Sequence, residues 1–467
     1  MIAIKSAAVA SIAKITPPKA VNTTALFHPR KWEPFLPFDH SKSALPGNQE
    51  FYHRYCFVGC YICLQLLLYN KLLQGKELSN NETNTIIWWT RFITLDRIKT
   101  CKSSVCKFTA NRSSANLENA KAFLFYGSSF NQSDLPLPRG DKIWALFHEE
   151  SPRNVPLFSH EEALILFNLS STFSRYSDLP LTLQFLPSLD NITSVNHYKT
   201  FEEKTEFQNT LAPVIYLQSD CSTPINRNTY VEELMKYIKI DSYGKCLNNK
   251  QLPDSLQDAM KTFLSSELIE FISRYKFSIA FENGICEDYI TEKLWRPIVA
   301  GSLPIYIGSP SINDWLPNNN TVIYLSDFKS PKELARHLLY LNNNKTAYDS
   351  HFEHKIQRKI INDNLKKNFR QYWTEQGLGV IDEFECLVCE SLTRPGFNVV
   401  RKKHYDCPQP ISIVDFKNNI TNYWLYIYKT SKCEAVTLKK FVEENRSVDN
   451  QFPSDTRKIL SDCIIND

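Results

Sequence analysis

Residues 281–297, FENGICEDYITEKLWRP, place an acid and an amide, Glu282 and Asn283, directly after an apolar run. An acid–base pair, Glu292 and Lys293, follows ten residues after Glu282. A helix opening near Tyr289 would carry that pair in its first turns. Exposed N–H donors and about half a positive charge at such a terminus suit a phosphate. Lys293 adds a full cation, and Glu292 can accept hydrogen bonds from ribose hydroxyls. A lone Glu-Lys pair on a helix is ordinarily a solvated face; here it shares a strand end with Glu282 and Asn283. Arg227, in SDCSTPINRNTYVEEL, is a second cation whose guanidinium suits bidentate phosphate contacts, although a surface arginine fits the same spacing. In WALFHEESP (144–152) an apolar run ends on Glu149 and Glu150. A carboxylate there can take the proton of an attacking hydroxyl while oxocarbenium-like charge develops on a sugar. The same Glu-Ser-Pro can also cap a following helix. No D-x-D tripeptide, a frequent metal holder on sugar diphosphates, occurs in the chain, so a departing diphosphate would rest on protein cations.

The elements that must position these residues are legible as apolar runs. IIWW (86–89), KAFLF (121–125), WALFH (144–148) and ALILFN (163–168) read as buried strands. Their recurrence between polar or helical stretches predicts an α/β domain over 86–205. The charged, aperiodic stretch 196–209 reads as a linker. A second α/β run, 206–360, opens on APVIYLQS (212–219) and continues into a helix over 227–237 with Val231, Leu234 and Ile238 on one face. Its strands YKFSIAF (275–281) and LPIYI (303–307) flank a helix that Asp288 would cap. Ile290, Leu294 and Ile298 would be its buried face and Gly301 its close. Such a strand–helix–strand crossover is parallel and right-handed. Ser330-Pro331 with Glu333 reads as a capping box opening a helix to about Leu341. The fold expected is two doubly wound, Rossmann-like α/β domains facing a cleft, with ligands beyond the carboxyl ends of the strands.

The 467 residues suit two domains plus an extension, and 43% apolar with 22% charged residues suits a globular chain. A net charge of +4 without a basic run argues against nucleic-acid binding. Of 13 cysteines, Cys56, Cys60 and Cys63 lie in the apolar stretch YCFVGCYICLQLLLY and ten follow it. Cys386 and Cys389 form a C-x-x-C open to zinc, redox and disulfide readings; zinc ordinarily wants a second such pair, which is lacking. N-x-S/T occurs at Asn22, Asn81, Asn111, Asn131, Asn168, Asn191, Asn319, Asn344, Asn419 and Asn445. Nine of these follow the apolar stretch, which points to the secretory pathway. That stretch is short for a membrane span, since fifteen helical residues reach only about 22 Å. Seven Lys/Arg against three acids precede it, a bias that favours a cytoplasmic N-terminus. The expected order is a tail (1–54), a signal-anchor (55–70), a stem (71–85) and a lumenal catalytic part.

Residues 281–317, FENGICEDYITEKLWRPIVAGSLPIYIGSPSINDWLP, resemble the donor-binding motif of the α1,3-fucosyltransferases, glycosyltransferase family 10. HEESP, FNLSSTFSRYSDLPL (167–181), YLQSDC (216–221), the Arg227 segment and IDSYGKC (240–246) match in the same order, so the resemblance covers about 86–410. FYG…LPLPR (125–139), HEESP and FECLVC (384–389) resemble the divergent branch that includes protein O-fucosyltransferases. Gly284 departs from the serine or alanine of many members. The resemblance implies a GT-B fold, GDP-fucose as donor, an inverting reaction needing no metal or other cofactor, and a single-pass type II protein of the Golgi or endoplasmic reticulum membrane. It implies Glu150 as general base, Arg227 and Lys293 as the grip on the diphosphate, and Ser219, Tyr243, Asn283, Tyr289 and Glu292 as further donor-site residues. It ties Cys386 and Cys389 to Cys101 and Cys106, pinning the extension 361–467 back onto the first domain; Cys221 with Cys246 is a further bridge. The acceptor, a hydroxyl of a glycan or of a glycoprotein's Ser/Thr, is left open. The rival expectations are a non-catalytic lumenal lectin or folding factor on the same fold, and a transferase for another nucleotide sugar.

Overall fold

The computed structural model describes residues 83–459, apart from 91, 94–95, 264, 373–378, 395–397, 415–422 and 450, together with Cys463. The expected tail and signal-anchor, and all but the last residues of the stem, lie outside the described residues. Among the described residues no helix is long and apolar enough to cross a membrane.

Two sheets organise the chain. The first contains β1 (Asn84–Trp88), β2 (Arg97–Thr100), β3 (Val105–Thr109), β4 (Ala120–Tyr126), β5 (Ile143–His148) and β6 (Leu169–Thr172), in the order β2-β3-β1-β4-β5-β6. Only β2 runs antiparallel to its neighbour. The second contains β7 (Val214–Gln218), β8 (Ile240–Gly244), β9 (Phe277–Phe281), β10 (Leu303–Ile307) and β11 (Ile323–Tyr324), all parallel, in the order β11-β10-β9-β7-β8. Setting β2 aside, both sheets have the doubly wound order 2-1-3-4-5. Strands covered on both faces are mostly apolar, and β5 (IWALFH) and β9 (FSIAF) are buried at every position.

The main helices are α1 (Phe201–Phe207), α2 (Arg227–Leu234), α3 (Glu292–Ala300), α4 (Pro331–Asn343), α5 (Gly379–Ser391) and α6 (Tyr423–Glu443). Helix α3 is the crossover from β9 to its parallel neighbour β10. Leu294 and Ile298 are buried, as their spacing requires, and Gly301 ends the helix at φ 73. Leu294, Trp295 and Ile298 share one core with Trp88, Tyr126 and Phe147 of the first sheet and Phe384 and Val388 of α5. The two sheets therefore do not float apart. Helix α5 is covalently held on the first sheet by Cys101–Cys386 and Cys106–Cys389, and α6 buries Leu438 and Phe441 among residues of the same sheet's other face.

Three local expectations need correction. ALILFN is not a strand: Ala163 and Leu164 belong to the single turn Glu161–Leu164, and β6 begins at Leu169. A short apolar run cannot distinguish buried turn from strand, and Glu161 and Glu162 favour a helical start. The stretch 196–209 is not an open linker, because α1 lies within it. Thr200 Oγ1 accepts from Glu203 N (3.2 Å) while Glu203 Oε2 accepts from Thr200 N (2.7 Å), a complete capping box. Asp288 does not cap α3. It sits at φ 62 with its carboxylate committed to Arg175, and Thr291 Oγ1 takes the Lys293 N–H (3.3 Å) instead.

Candidate active site

The strand order of the second sheet reverses between β7 and β9, and the residues after both strands meet there. Glu282, fully buried, accepts from Thr291 N (2.8 Å) and Thr291 Oγ1 (2.7 Å), so one carboxylate joins the end of β9 to the start of α3. A methyl group at Gly308 would meet Glu282 Cγ at 2.6 Å, which is why no side chain stands there. Lys293 Nζ lies 3.2 Å from Glu292 Oε1 and 3.8 Å from Glu282 Oε2. Burial raises the Glu282 carboxyl to about 7 despite Lys293. Burial would raise Glu292 as well, but the charges of Lys293 and Arg296 override it and hold the group at about 2. Glu292 is thus an anion and the first turn of α3 presents alternating charge.

Arg227 is not the surface arginine its spacing allowed. It is buried, and its terminal nitrogens donate to the carbonyls of Phe281 and Asp220, each at 2.9 Å. It thereby ties the ends of β9 and β7 together across the switch point. Ser219 follows β7 directly, at the same edge and partly exposed. Tyr243 is not brought to the cleft. Its ring is buried among Leu268, Phe271 and Tyr275, and its hydroxyl lies 2.7 Å from that of Tyr275, which precedes β9 at the opposite end. Burial raises both phenols.

The first sheet supplies the other half. Strand β5 ends at His148 and delivers two carboxylates with different surroundings. Glu149 accepts from Tyr126 Oη (2.7 Å), and burial, with the neighbouring Glu150 charge, raises it to about 7. Glu150 accepts from Tyr289 Oη (3.2 Å), which belongs to the loop between β9 and α3, so this bond spans the two halves. Burial raises the Glu150 carboxyl and the positive charge of Lys293 opposes that rise. Ser151 Oγ donates to Asn283 Oδ1 (2.7 Å), a second bond between the halves, and Asn283 Nδ2 is buried with no partner among the described residues. Gly284 packs so closely that an added Cβ would sit 3.3 Å from Ser151 Cβ. Glu150, Asn283, Tyr289, Glu292 and Lys293 are therefore gathered, Arg227 and Ser219 stand at the edge that presents them, and Tyr243 is apart.

Several residues that build the site carried no sequence signal. Arg175, from the first half, bonds Asp288 through Nε and Nη2 (2.6–3.0 Å) and Asp314 through Nη1 (2.6 Å). Arg153 Nη2 bonds Asp220 Oδ1 (3.0 Å). Tyr405 Oη donates to the main-chain oxygen of Glu150 (2.6 Å). Cys286–Cys407 is a bridge between remote segments that spacing alone does not announce. Cys221–Cys246 is present, and Cys386 and Cys389 each form a disulfide, which removes the zinc reading of that pair. Among the described residues no group of three or more His, Cys, Asp or Glu side chains is placed to hold a metal.

Comparison with known proteins gives concordant matches. A family profile described as "Fucosyltransferase, N-terminal" matches residues 81–184, and one described as "Glycosyltransferase family 10 (fucosyltransferase) C-term" matches 206–404. "Alpha-(1,3)-fucosyltransferase B" of Drosophila melanogaster is 41% identical over 388 residues, covering 79% of this chain and 87% of its own length. "GDP-fucose protein O-fucosyltransferase 3" of Gallus gallus is 40% identical over 387 residues (78% and 81%), and that of Homo sapiens 39% over 389 (78% and 81%). A solved structure of an α1,3-fucosyltransferase with GDP-fucose aligns over 71% of this chain and 98% of its own, at TM-score 0.40 and 16% identity. The breadth of the sequence matches over both halves of the cleft decides the assignment: the chain belongs to glycosyltransferase family 10, the fucosyltransferases.

Proposed function

We propose that this protein transfers fucose from GDP-fucose, with inversion and without a metal, to a hydroxyl of a glycoprotein acceptor in the lumen of the secretory pathway. The observation that carries the reading is Glu150 on one half, held by Tyr289 and facing the charge of Lys293 on the other. The acceptor oxygen attacks the anomeric carbon as the bond from that carbon to the GDP oxygen breaks. The acceptor proton passes to the Glu150 carboxylate, and the departing GDP is stabilised by Lys293 and the N-terminus of α3. Arg227 supplies its charge from behind the strand ends while holding them together. Asn283 Nδ2, without a partner among the described residues, can donate to the bound GDP-fucose. The lack of a D-x-D tripeptide and the position of Lys293 support metal independence. Four disulfides among the described residues and nine sequons after the apolar stretch 55–69 support an oxidising lumen, with that stretch as a Golgi or endoplasmic reticulum membrane anchor. The names of the relatives favour the donor GDP-fucose and an acceptor that is either a glycan in α1,3 linkage or a protein side chain. The test is GDP release from GDP-fucose by the purified protein, screened against glycans and folded disulfide-bonded domains. GDP should raise the melting temperature and UDP should not. Stabilisation by UDP alone would transfer the reading to another nucleotide sugar.

A further inference from the structure

Residues 398–414 run as a strap from the first half to the second, past Glu150. Val400 N donates to Phe167 O (3.0 Å) at one end, and Ile413 N donates to Ile225 O (3.2 Å) at the other. Between them Lys403 O accepts from Ser174 Oγ (2.6 Å), and His404 O accepts from Thr172 Oγ1. Asp406 O accepts from Glu287 N (2.9 Å), and Cys407 is bonded to Cys286 of the loop that carries Asn283 and Tyr289. Tyr405 lies in the middle of this strap and is wholly buried. Its ring stacks on His148 (5.4 Å between centroids, 22° between planes) and tilts against Phe173 (4.8 Å). Phe173 in turn meets Tyr289 edge-on at 5.1 Å. Two phenols thus grip Glu150 at different atoms: Tyr289 at the carboxylate (3.2 Å) and Tyr405 at the main-chain oxygen (2.6 Å).

We infer that Tyr405 is a positioning residue, which fixes the backbone of Glu150 so that its carboxylate stays on Tyr289 and toward the acceptor, and that the Cys286–Cys407 bridge holds Tyr405 in register with the donor loop. The inference rests on the reading of Glu150 as general base. A carboxylate at this site is balanced among few groups. Lys293 and Glu292 face it from α3, Tyr289 from the preceding loop, Glu149 from its own strand end and Tyr405 from the strap. Lys293 and the Tyr289 hydrogen bond favour the charged form, against burial and Glu292. Freeing the Glu150 backbone weakens the Tyr289 bond, so the base should ionise at higher pH.

Tyr405→Phe removes the hydroxyl and keeps the buried ring. The readout is GDP release from GDP-fucose, with water as acceptor, across pH 5–9 in the full chain. Near pH 6 the expected kcat falls roughly five- to tenfold, within the contribution of a well-placed general base. The acid limb of the kcat profile moves to higher pH, activity partly recovers above pH 8, and KM for GDP-fucose stays within about twofold, since the donor contacts are untouched. Replacing both Cys286 and Cys407 by Ser should move the acid limb in the same direction. A Tyr405→Phe enzyme with wild-type kcat and profile overturns the inference, as does a loss of kcat at every pH with the limb unmoved. A Glu150→Gln enzyme that releases GDP at the wild-type rate overturns the base assignment itself, and the two failures are distinguishable in one experiment.

Discussion

Glu149 and Glu150 are adjacent in sequence and chemically separated by where their side chains end. Glu149 lies against Tyr126 inside the first half, whereas Glu150 reaches Tyr289 on the other. The first therefore answers to stability and the second to the proposed proton transfer. The folded Glu149 carboxyl, at about 7, lies above its unfolded value, so its contribution is fully present below about pH 4 and is lost as pH rises through 7. Glu149→Gln should remove that loss. Thermal unfolding at pH 5, 6.5 and 8 should show the variant gaining on the wild type as pH rises, by up to on the order of 3 kcal/mol from the shift of the pKa. A constant difference at all three pH values would contradict the burial argument. At this scale the sequence was informative about residue types, since acid, amide and lysine after strand ends are chemically conspicuous. It was silent about which carboxylate of a pair turns inward. Tyr243 shows the same limit: its place beside a matching motif did not reveal that its hydroxyl turns to Tyr275.

Helix α3 was legible because several signals agreed, namely apolar spacing at Leu294 and Ile298 and a glycine placed for the left-handed close. Its start is less legible because Asp288 and Thr291 are both good caps, and the remote partners Arg175, Ser311 and Trp315 withdraw Asp288. The run at 163–168 carries no second signal to tell turn from strand, whereas Thr200 and Glu203 do spell the capping box of α1 within a stretch whose charge otherwise reads as a linker. Cys101–Cys386 and Cys106–Cys389 each close a loop of about 280 residues, worth roughly 5–6 kcal/mol by chain entropy. They close nearly the same loop. Once either is present, the other closes a ring of only about ten residues and adds roughly 2.5 kcal/mol. Removing one bridge should therefore cost far less than half of what removing both costs. Denaturant midpoints of the two single Cys→Ser pairs and the quadruple variant would check this, and additive losses would contradict it.

Across the whole molecule, the fold class followed from apolar runs and crossover geometry, while the contacts that join the halves did not. Arg175–Asp288, Arg153–Asp220, Ser151–Asn283 and the strap at Tyr405 link residues more than sixty positions apart, and periodicity carries no information at that range. The sequons give a molecule-scale check of burial. Asn111, Asn131 and Asn319 are exposed, whereas Asn168 is buried, with Oδ1 accepting from Trp144 N (2.9 Å) and Arg139 Nη2 (3.0 Å). Peptide mapping of secreted protein should find Asn168 unmodified; a glycan there would contradict the packing of β5 on β6. The central claim is a division of labour across the cleft, with proton acceptance on the first half and the hold on GDP on the second. Its most direct test is calorimetric titration of GDP-fucose alongside transfer assays for two variants. Glu150→Gln should bind GDP-fucose within about threefold of wild type yet lose transfer by 100-fold or more, roughly the worth of a general base. Lys293→Met should weaken binding by roughly 10- to 100-fold, as loss of a charge-assisted contact implies. A Glu150→Gln enzyme that transfers fucose at the wild-type rate, or a Lys293→Met enzyme that binds GDP-fucose unchanged, would contradict the account.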